Sequence, residues 1–254
     1  KFSDASIKLG TQMKATGEVM SIGRTMEESL LKAVRSLETG VCHIYHKKFD
    51  KWSNDDLLAY IKGGTDDRLY AIGQLIRNGV DLALIYDKTK IDMFFLEKFK
   101  NIVEFENVVR AHPMDVETLR AAKRMGFSDK YIGQLWGLSQ NEMYRLREKN
   151  NVFPVYKMID TCASEFASYV PYFYSTYEEE NESIVSGKEK IIVLGSGPIR
   201  IGQGVEFDYS TVHAIWSIRA AGYEAIIINN NPETVSTDYT TSDKLYFEPL
   251  TVED

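Results

Sequence analysis

Cysteine and long apolar runs are scarce in this chain of 254 residues. Its two cysteines, Cys42 and Cys162, are too few for the disulfide framework of a small secreted domain. No run approaches the roughly 18 apolar residues that a membrane-spanning helix needs, and the first residues lack the apolar core of a secretory signal. We therefore expect a protein of the reducing cytoplasm, with no secretory or membrane-embedded part.

Positive charge is also scarce, and this bears on the possible partners. The chain has 30 Lys and Arg residues against 37 Asp and Glu residues, which gives a formal net charge of −7. Because phosphate attraction favours a basic surface, nucleic acid is not the expected partner. The length is sufficient for one large or two ordinary domains with a buried core.

The four histidines do not form a recognisable metal or catalytic site. Cys42, His43 and His46 resemble part of a zinc site, but no fourth ligand is evident. No grouping of Ser, His and Asp typical of nucleophilic catalysis can be defined either. The sequence therefore predicts no catalytic residue and no metal ligand.

A glycine-rich loop follows a predicted strand at residues 190 to 194 and precedes a predicted helix. Its glycines, which permit positive φ and close approach of another surface, are Gly195, Gly197, Gly202 and Gly204. A dinucleotide-binding loop would have a third glycine where Arg200 stands, and an acid where residues 229–231 are all Asn. The Gly-Lys-Ser/Thr ending of a P-loop is also missing. Close packing of the loop is therefore favoured over phosphate binding, which stays open.

Residues 53 to 150 repeat one pattern, in which a capping residue precedes an amphipathic run and a glycine ends it. The predicted caps are Ser53, Thr65, Asp115, Ser128 and Ser139. A further helix is expected to start at a capping box in residues 25–28 and to end near Gly40. Between the caps, an aromatic stripe at helical spacing is interpreted as core; it comprises Phe94, Phe95, Phe99, Ile102, Phe105 and Val109. The region is predicted to be an all-helical domain.

The rest of the chain is predicted to be extended and then α/β. Aromatic residues crowd residues 151–186, which we expect to cross between domains as a packed strap. The acidic run at 178–182 is interpreted as a solvated face. After it, strands at 190–194, 225–229 and near 245–247, with a helix from about 207 to 221, predict the opening of a parallel sheet.

Residues 128–147 also resemble a helix-turn-helix, with Gly137 in the turn and Arg145 and Arg147 on the second helix. Over residues 115–150, however, seven basic residues stand against only five acidic ones. Short helix pairs with a glycine turn are common in proteins that do not bind DNA. Packing or assembly is therefore the favoured role of this pair, and a nucleic-acid-binding regulator is the alternative.

The glycine loop and the segments after it resemble a known family. Three segments are similar to the start of the second synthetase half of the carbamoyl phosphate synthetase large chain. They are GSGPIRIGQGVEFDY at 195–209, NNNPETVSTD at 229–238 and DKLYFEP at 243–249. The resemblance extends upstream to 9–25, 154–166 and 174–179. Ser196 replaces a glycine common in the family, and Ile199 stands where a polar residue is common; neither change removes a group with an expected chemical role.

The resemblance implies a mixed fold: an all-α domain followed by the start of an α/β parallel-sheet domain of the Rossmann-like, pre-ATP-grasp type. Residues 1–39 would be the tail of the first ATP-grasp unit, the carboxyphosphate synthetase. Residues 40–186 would be the helical oligomerization domain with its strap, and residues 187–254 the start of the second pre-ATP-grasp domain. Because the chain begins without Met and stops within a segment, we expect a piece of a longer protein.

The resemblance also implies an activity for that longer protein. It would make carbamoyl phosphate from bicarbonate, glutamine-derived ammonia and two ATP with Mg²⁺ or Mn²⁺, for arginine and pyrimidine synthesis, together with a glutamine amidotransferase small chain. This chain alone is expected to bind no cofactor and to be inactive, but to self-associate through its helices. The residues implied to line the tunnel for the carbamate intermediate are Met13, Glu18, Gly204, Glu206 and Glu233. The simpler alternative for each Glu is a capping or salt-bridge carboxylate. A freestanding nucleotide-binding module is a further alternative for the chain.

Overall fold

The computed structural model describes residues 6, 8, 10–12, 14, 17–163, 165–166, 169–200, 202–204 and 206–254. Their contacts define two compact units. The helical unit comprises the described residues up to 14, together with 25–27 and 39–150, and the sheet unit comprises those within 15–24, 28–38 and 151–254. The domain limits at residues 40 and 187, which were inferred from the resemblance, stay predictions.

The helices before residue 150 match the predicted helical region. Helix α1 is Met26–Ser36, and its first two residues belong to the helical unit. The helices that follow are α2 Asn54–Ile61, α3 Arg68–Arg77, α4 Leu82–Thr89, α5 Met93–Ala111, α6 Val116–Arg124, α7 Asp129–Trp136 and α8 Gln140–Lys149. No described helix has the length and apolar character needed to cross a membrane.

Most of the predicted caps are confirmed. The side chains of Ser53, Asp115 and Ser128 each accept a hydrogen bond from the backbone N–H three residues on, and Ser139 forms a full capping box with Glu142. The prediction for Thr65 is wrong, because Thr65 pairs in a short antiparallel bridge with Lys8 and the helix starts only at Arg68. Helix α4, which has no counterpart in the sequence prediction, begins after a capping Asp81.

The aromatic stripe on α5 is core only in part. Phe99, Ile102 and Val109 are buried, and the half-buried Phe105 contacts Phe127 edge to face. Phe94 and Phe95 are exposed, so the core interpretation is wrong for these two residues. Successive residues of an α-helix are rotated by about 100° around its axis, so Phe94 lies on the face opposite the buried Val103. This is the exposed face of the helix.

The sheet unit contains five strands in the order β1-β2-β5-β4-β3. Their bounds are β1 Val155–Met158, β2 Tyr172–Thr176, β3 Lys190–Leu194, β4 Glu224–Asn229 and β5 Lys244–Phe247. Only β1 and β2 pair in antiparallel fashion. Helix α9, Glu206–Ala220, packs on β3 and β4. The predicted order of strand, glycine loop, helix and strand is confirmed.

The strap at 151–186 is not only a connection, because it supplies β1 and β2 to the sheet. Tyr172, Phe173 and Tyr174 give β2 the aromatic character that suits a pleated surface, and β2 pairs in parallel with β5. The sheet is therefore mixed, with an antiparallel edge added to the predicted parallel strands. Its core on the α9 side consists of Ile215, Ala225, Ile227, Leu245 and Phe247.

Candidate functional site

The first part of the glycine loop packs on the side chain of Asn229, at the end of β4. A Cβ atom on Gly195 would lie 2.4 Å from Asn229 Cγ, so any larger residue would displace this side chain. Asn229 is fully buried, and its Oδ1 accepts hydrogen bonds from Gly197 N at 3.1 Å and from Asn230 N at 2.9 Å. The side chain of Asn229 therefore uses a loop N–H that a nucleotide phosphate would need.

The middle of the loop packs on the front segment of the sheet unit. Gly197 has a φ of +67°, and a Cβ there would lie 2.6 Å from Glu38 Oε1. Glu38 also forms an ion pair with Arg200. Gly17 packs on Ile199, because a Cβ at residue 17 would lie 3.1 Å from Ile199 Cβ. Close packing thus accounts for the small residues in this part of the loop.

Gly204 and Glu206 interact where the loop enters α9. The backbone N–H of Gly204 donates to Glu206 Oε1 at 2.9 Å. The Glu206 carboxylate accepts hydrogen bonds from the backbone N–H groups of Glu206 itself and of Gly204. These bonds lower the pKa of Glu206, so this side chain stays a carboxylate. A Cβ on Gly204 would lie 2.5 Å from Glu206 Oε2. The absence of a side chain at residue 204 therefore lets the carboxylate fold back on the loop.

A cavity of about 520 Å³ adjoins this turn, and both Gly204 and Glu233 line it. One wall is a row of aromatic side chains on α9. Tyr209 and His213 have ring centroids 4.1 Å apart, and His213 and Trp216 have centroids 5.1 Å apart. The other acid in the lining, Asp208, accepts a hydrogen bond from Ser236 N at 2.9 Å and so holds the short turn after Glu233 against α9.

The residues predicted to line a tunnel are brought together only in part. Gly204 and Glu233 share the cavity, and Glu206 is bonded to Gly204. Glu18 is exposed and is not among the residues that line the cavity. The residue before it, Gly17, packs on Ile199, which does line the cavity. Met13 lies outside the described residues.

Sequence reasoning missed Asp208 and the aromatic row at 209, 213 and 216. The helical spacing of these three residues was the signal that could have indicated a shared face. Asp208 gave no such signal, because its partner Ser236 is 28 residues away in the chain.

Two features of the described part of the loop disfavour a nucleotide phosphate. Gly197 N already donates to Asn229, and no lysine follows the last glycine of the loop. The part of the chain that the structure describes holds no group of three or more His, Cys, Asp or Glu side chains that could bind a metal ion. The local geometry therefore favours a wall of a cavity over a nucleotide site.

The helix pair α7–α8 uses one of its two arginines for packing. Arg147 is buried, and its Nε lies 2.8 and 3.0 Å from the two carboxylate oxygens of Asp129. Lys123 adds a second cation 3.3 Å from the same carboxylate. Gly137 ends α7 in the left-handed conformation, with a φ of +72°. Arg147 is thus engaged within the helical unit, which weakens the nucleic-acid interpretation.

A second set of buried charges lies at the end of β2 and β5 in the sheet unit. Lys32 Nζ donates to Ser175 O at 2.5 Å and lies 3.3 Å from Glu248 Oε2, and Ser175 N donates to Glu248 Oε1. Burial raises the pKa of Glu248 to about 7, against the opposing attraction of the Lys32 ammonium. This carboxyl group therefore titrates near neutral pH, although the sequence gave no sign of it.

Two family models match this chain. The carbamoyl-phosphate synthetase large chain oligomerisation domain matches residues 18–151, and the carbamoyl phosphate synthase preATP-grasp domain matches residues 187–254. A helical oligomerisation domain followed by a pre-ATP-grasp sheet defines a protein of the ligase class. Because the first match alone covers more than half of the chain, the chain belongs to the carbamoyl-phosphate synthetase large-chain family.

Proposed function

We propose that this chain acts within the large chain of a glutamine-dependent carbamoyl phosphate synthetase. That enzyme would make carbamoyl phosphate from bicarbonate, glutamine-derived ammonia and two ATP, for arginine and pyrimidine synthesis. A glutamine amidotransferase small chain would supply the ammonia, and residues other than this glycine loop would hold ATP with Mg²⁺ or Mn²⁺. The observation that carries the proposal is the cavity shared by Gly204 and Glu233, inside the region matched by the pre-ATP-grasp model.

Within this enzyme, the cavity would form part of the passage that carries the carbamate intermediate to the second active site. Gly204 leaves room because it has no side chain, and the carboxylate of Glu233, which lines the cavity, would accept hydrogen bonds from the polar intermediate. Glu206 would act through Gly204, whose backbone N–H it binds. The aromatic row on α9 forms one side of this cavity.

Substitution of Gly204 in a full-length synthetase tests this role. The backbone of Gly204 is outside the positive-φ region, and the nearest atoms to a new Cβ belong to the flexible end of Glu206. Gly204→Phe should therefore fill the cavity at little cost to the fold. We expect bicarbonate-dependent ATP hydrolysis to persist, while carbamoyl phosphate formation falls at least ten times further.

Gly187→Phe is the matched control, because a Cβ at residue 187 would meet nothing within 4 Å. It should leave both partial reactions and the melting temperature as in the wild type. If Gly204→Phe instead lowers ATP hydrolysis, carbamoyl phosphate formation and the melting temperature in parallel, Gly204 is a structural glycine and the passage is placed wrongly.

We also propose that the helical unit mediates self-association, with no nucleic-acid partner. Support comes from the family description of residues 18–151 as an oligomerisation domain and from the exposed aromatic residues at the start of α5. Sedimentation of the purified chain tests it, since a monomer at 100 µM would contradict self-association.

A further inference from the structure

The part of α1 that belongs to the sheet unit, residues 28–36, is held there by two buried ion pairs. Lys32 and Arg35 are three residues apart on the helix, so they share one face, and both are buried. Lys32 Nζ lies 3.3 Å from Glu248 Oε2, directly after β5, and Arg35 Nη2 lies 2.7 Å from Asp254 Oδ1. Because a buried charge that loses its partner is costly, these pairs fix α1 on the sheet unit.

The chain leaves α1 through Glu38, whose backbone has a φ of +53° and so lies in the left-handed region. Glycine is the usual residue where a helix ends in this conformation, because a Cβ atom crowds the following carbonyl oxygen. The Glu38 carboxylate lies beside Gly197 and forms an ion pair with Arg200, and both partners belong to the glycine loop. An unfavourable backbone conformation thus coincides with a side chain that reaches another segment, a combination typical of positions with a functional constraint.

The middle of the glycine loop is tied by hydrogen bonds to the cavity wall. Arg200 N donates to Gln203 Oε1 at 2.8 Å, and Gln203 directly precedes Gly204. Ser196 Oγ donates to Phe207 O at 3.0 Å, in the first turn of α9. Gly204 and Phe207 both line the cavity. A displacement of the middle of the loop would therefore move two residues of this wall.

We propose that Glu38 is a positioning residue for the passage, because its ion pair with Arg200 holds the glycine loop and thereby the cavity wall. This inference rests on the proposed passage and adds a residue outside the loop that sets the shape of the wall. Lys32 and Arg35 fix α1 on the sheet unit, and Glu38 extends that fixed position to the loop. The accessible fractions of the Glu38 and Arg200 side chains are 24 and 59 %, so their pair contributes little to the stability of the fold.

The test is the ratio of bicarbonate-dependent ATP hydrolysis to carbamoyl phosphate formed, measured in a full-length synthetase. Glu38→Gly removes the carboxylate and also relieves the left-handed backbone, so the melting temperature should not fall. The ratio should rise by about threefold or more, because a displaced wall no longer guides the intermediate.

A charge exchange distinguishes the ion pair from the other contacts of Glu38. Glu38→Lys and Arg200→Glu should each raise the ratio, and the double variant, which restores an opposite pair, should return it toward the wild-type value. The matched control is Glu178→Ala, which breaks another Arg–Glu pair of the sheet unit, with Arg24 54 % and Glu178 37 % accessible. This control should leave the ratio unchanged.

Gly204→Phe separates a failure of this inference from a failure of the passage itself. If Gly204→Phe raises the ratio and Glu38→Gly does not, the passage stands and the role of Glu38 is overturned. If neither variant raises it, both proposals are overturned. A parallel loss of both partial reactions and of the melting temperature in Glu38→Gly would make Glu38 a structural residue. A double variant no better than the single ones would overturn the pairing with Arg200.

Discussion

At the scale of single residues, the glycine loop is shaped by one buried amide. The Asn229 side chain contacts Gly195 and accepts a hydrogen bond from Gly197 N, so the first turn of the loop is packed on the end of β4. The loop glycines could be predicted from the sequence, but this partner could not. It lies 32 residues after Gly197, and only the parallel pairing of β3 with β4 brings the two together.

Gly195→Ala should therefore destabilise the chain by about 1 to 3 kcal/mol, because a new methyl group would displace a side chain with two hydrogen bonds. Urea unfolding followed by circular dichroism measures the change. Gly187→Ala serves as the control, since it adds a methyl group in open space. Equal stability of the two variants would show that Asn229 can move aside freely.

At the scale of elements, hydrogen bonds between residues close in the sequence could be predicted, whereas pairing between distant segments could not. Ser53, Asp115, Ser128 and Ser139 each act on an N–H three residues away, and the sequence predicted all four caps. The strand character of β1 and β2 was missed, because β2 takes its place by pairing with β5, more than 60 residues later. The buried cluster of Lys32, Ser175 and Glu248 joins three distant elements for the same reason.

This cluster predicts an unusual pH dependence for the sheet unit. The pKa of Glu248 is about 7 in the folded chain and 4.5 as the reference value for the unfolded one, so the folded state binds this proton more tightly. Its contribution to stability is present below pH 4.5 and is lost as pH rises through 7. The loss amounts to about 3 kcal/mol at most.

Glu248→Gln should flatten the change in unfolding free energy between pH 4.5 and 7 relative to the wild type. The comparison is made on the slope, because Gln also changes the contacts with Ser175 and Lys32 and so shifts the absolute stability. Glu180→Gln, at a side chain that is 87 % exposed, is the control. Identical slopes in the wild type and Glu248→Gln would contradict a neutral-range titration at residue 248.

At the scale of the whole molecule, the chain combines a helical unit that matches an oligomerisation-domain model with a sheet unit that carries a cavity. In the part of the chain that the structure describes, Gly197 N of the glycine loop already donates to Asn229, and no group of three or more His, Cys, Asp or Glu side chains is placed to bind a metal ion. The purified 254-residue chain should therefore show no carbamoyl phosphate synthesis and no bicarbonate-dependent ATP hydrolysis. Turnover that scales with chain concentration and survives repurification would contradict this.

The most direct test of the proposed passage is a graded series at Gly204 in a full-length synthetase, with Ala, Leu and Phe. The measured quantity is the ratio of bicarbonate-dependent ATP hydrolysis to carbamoyl phosphate formed. If residue 204 borders the path of the intermediate, this ratio rises with side-chain volume while the melting temperature changes little, because the added atoms enter a cavity of about 520 Å³. A ratio that stays constant through the series, whatever the loss of total activity, would contradict the passage.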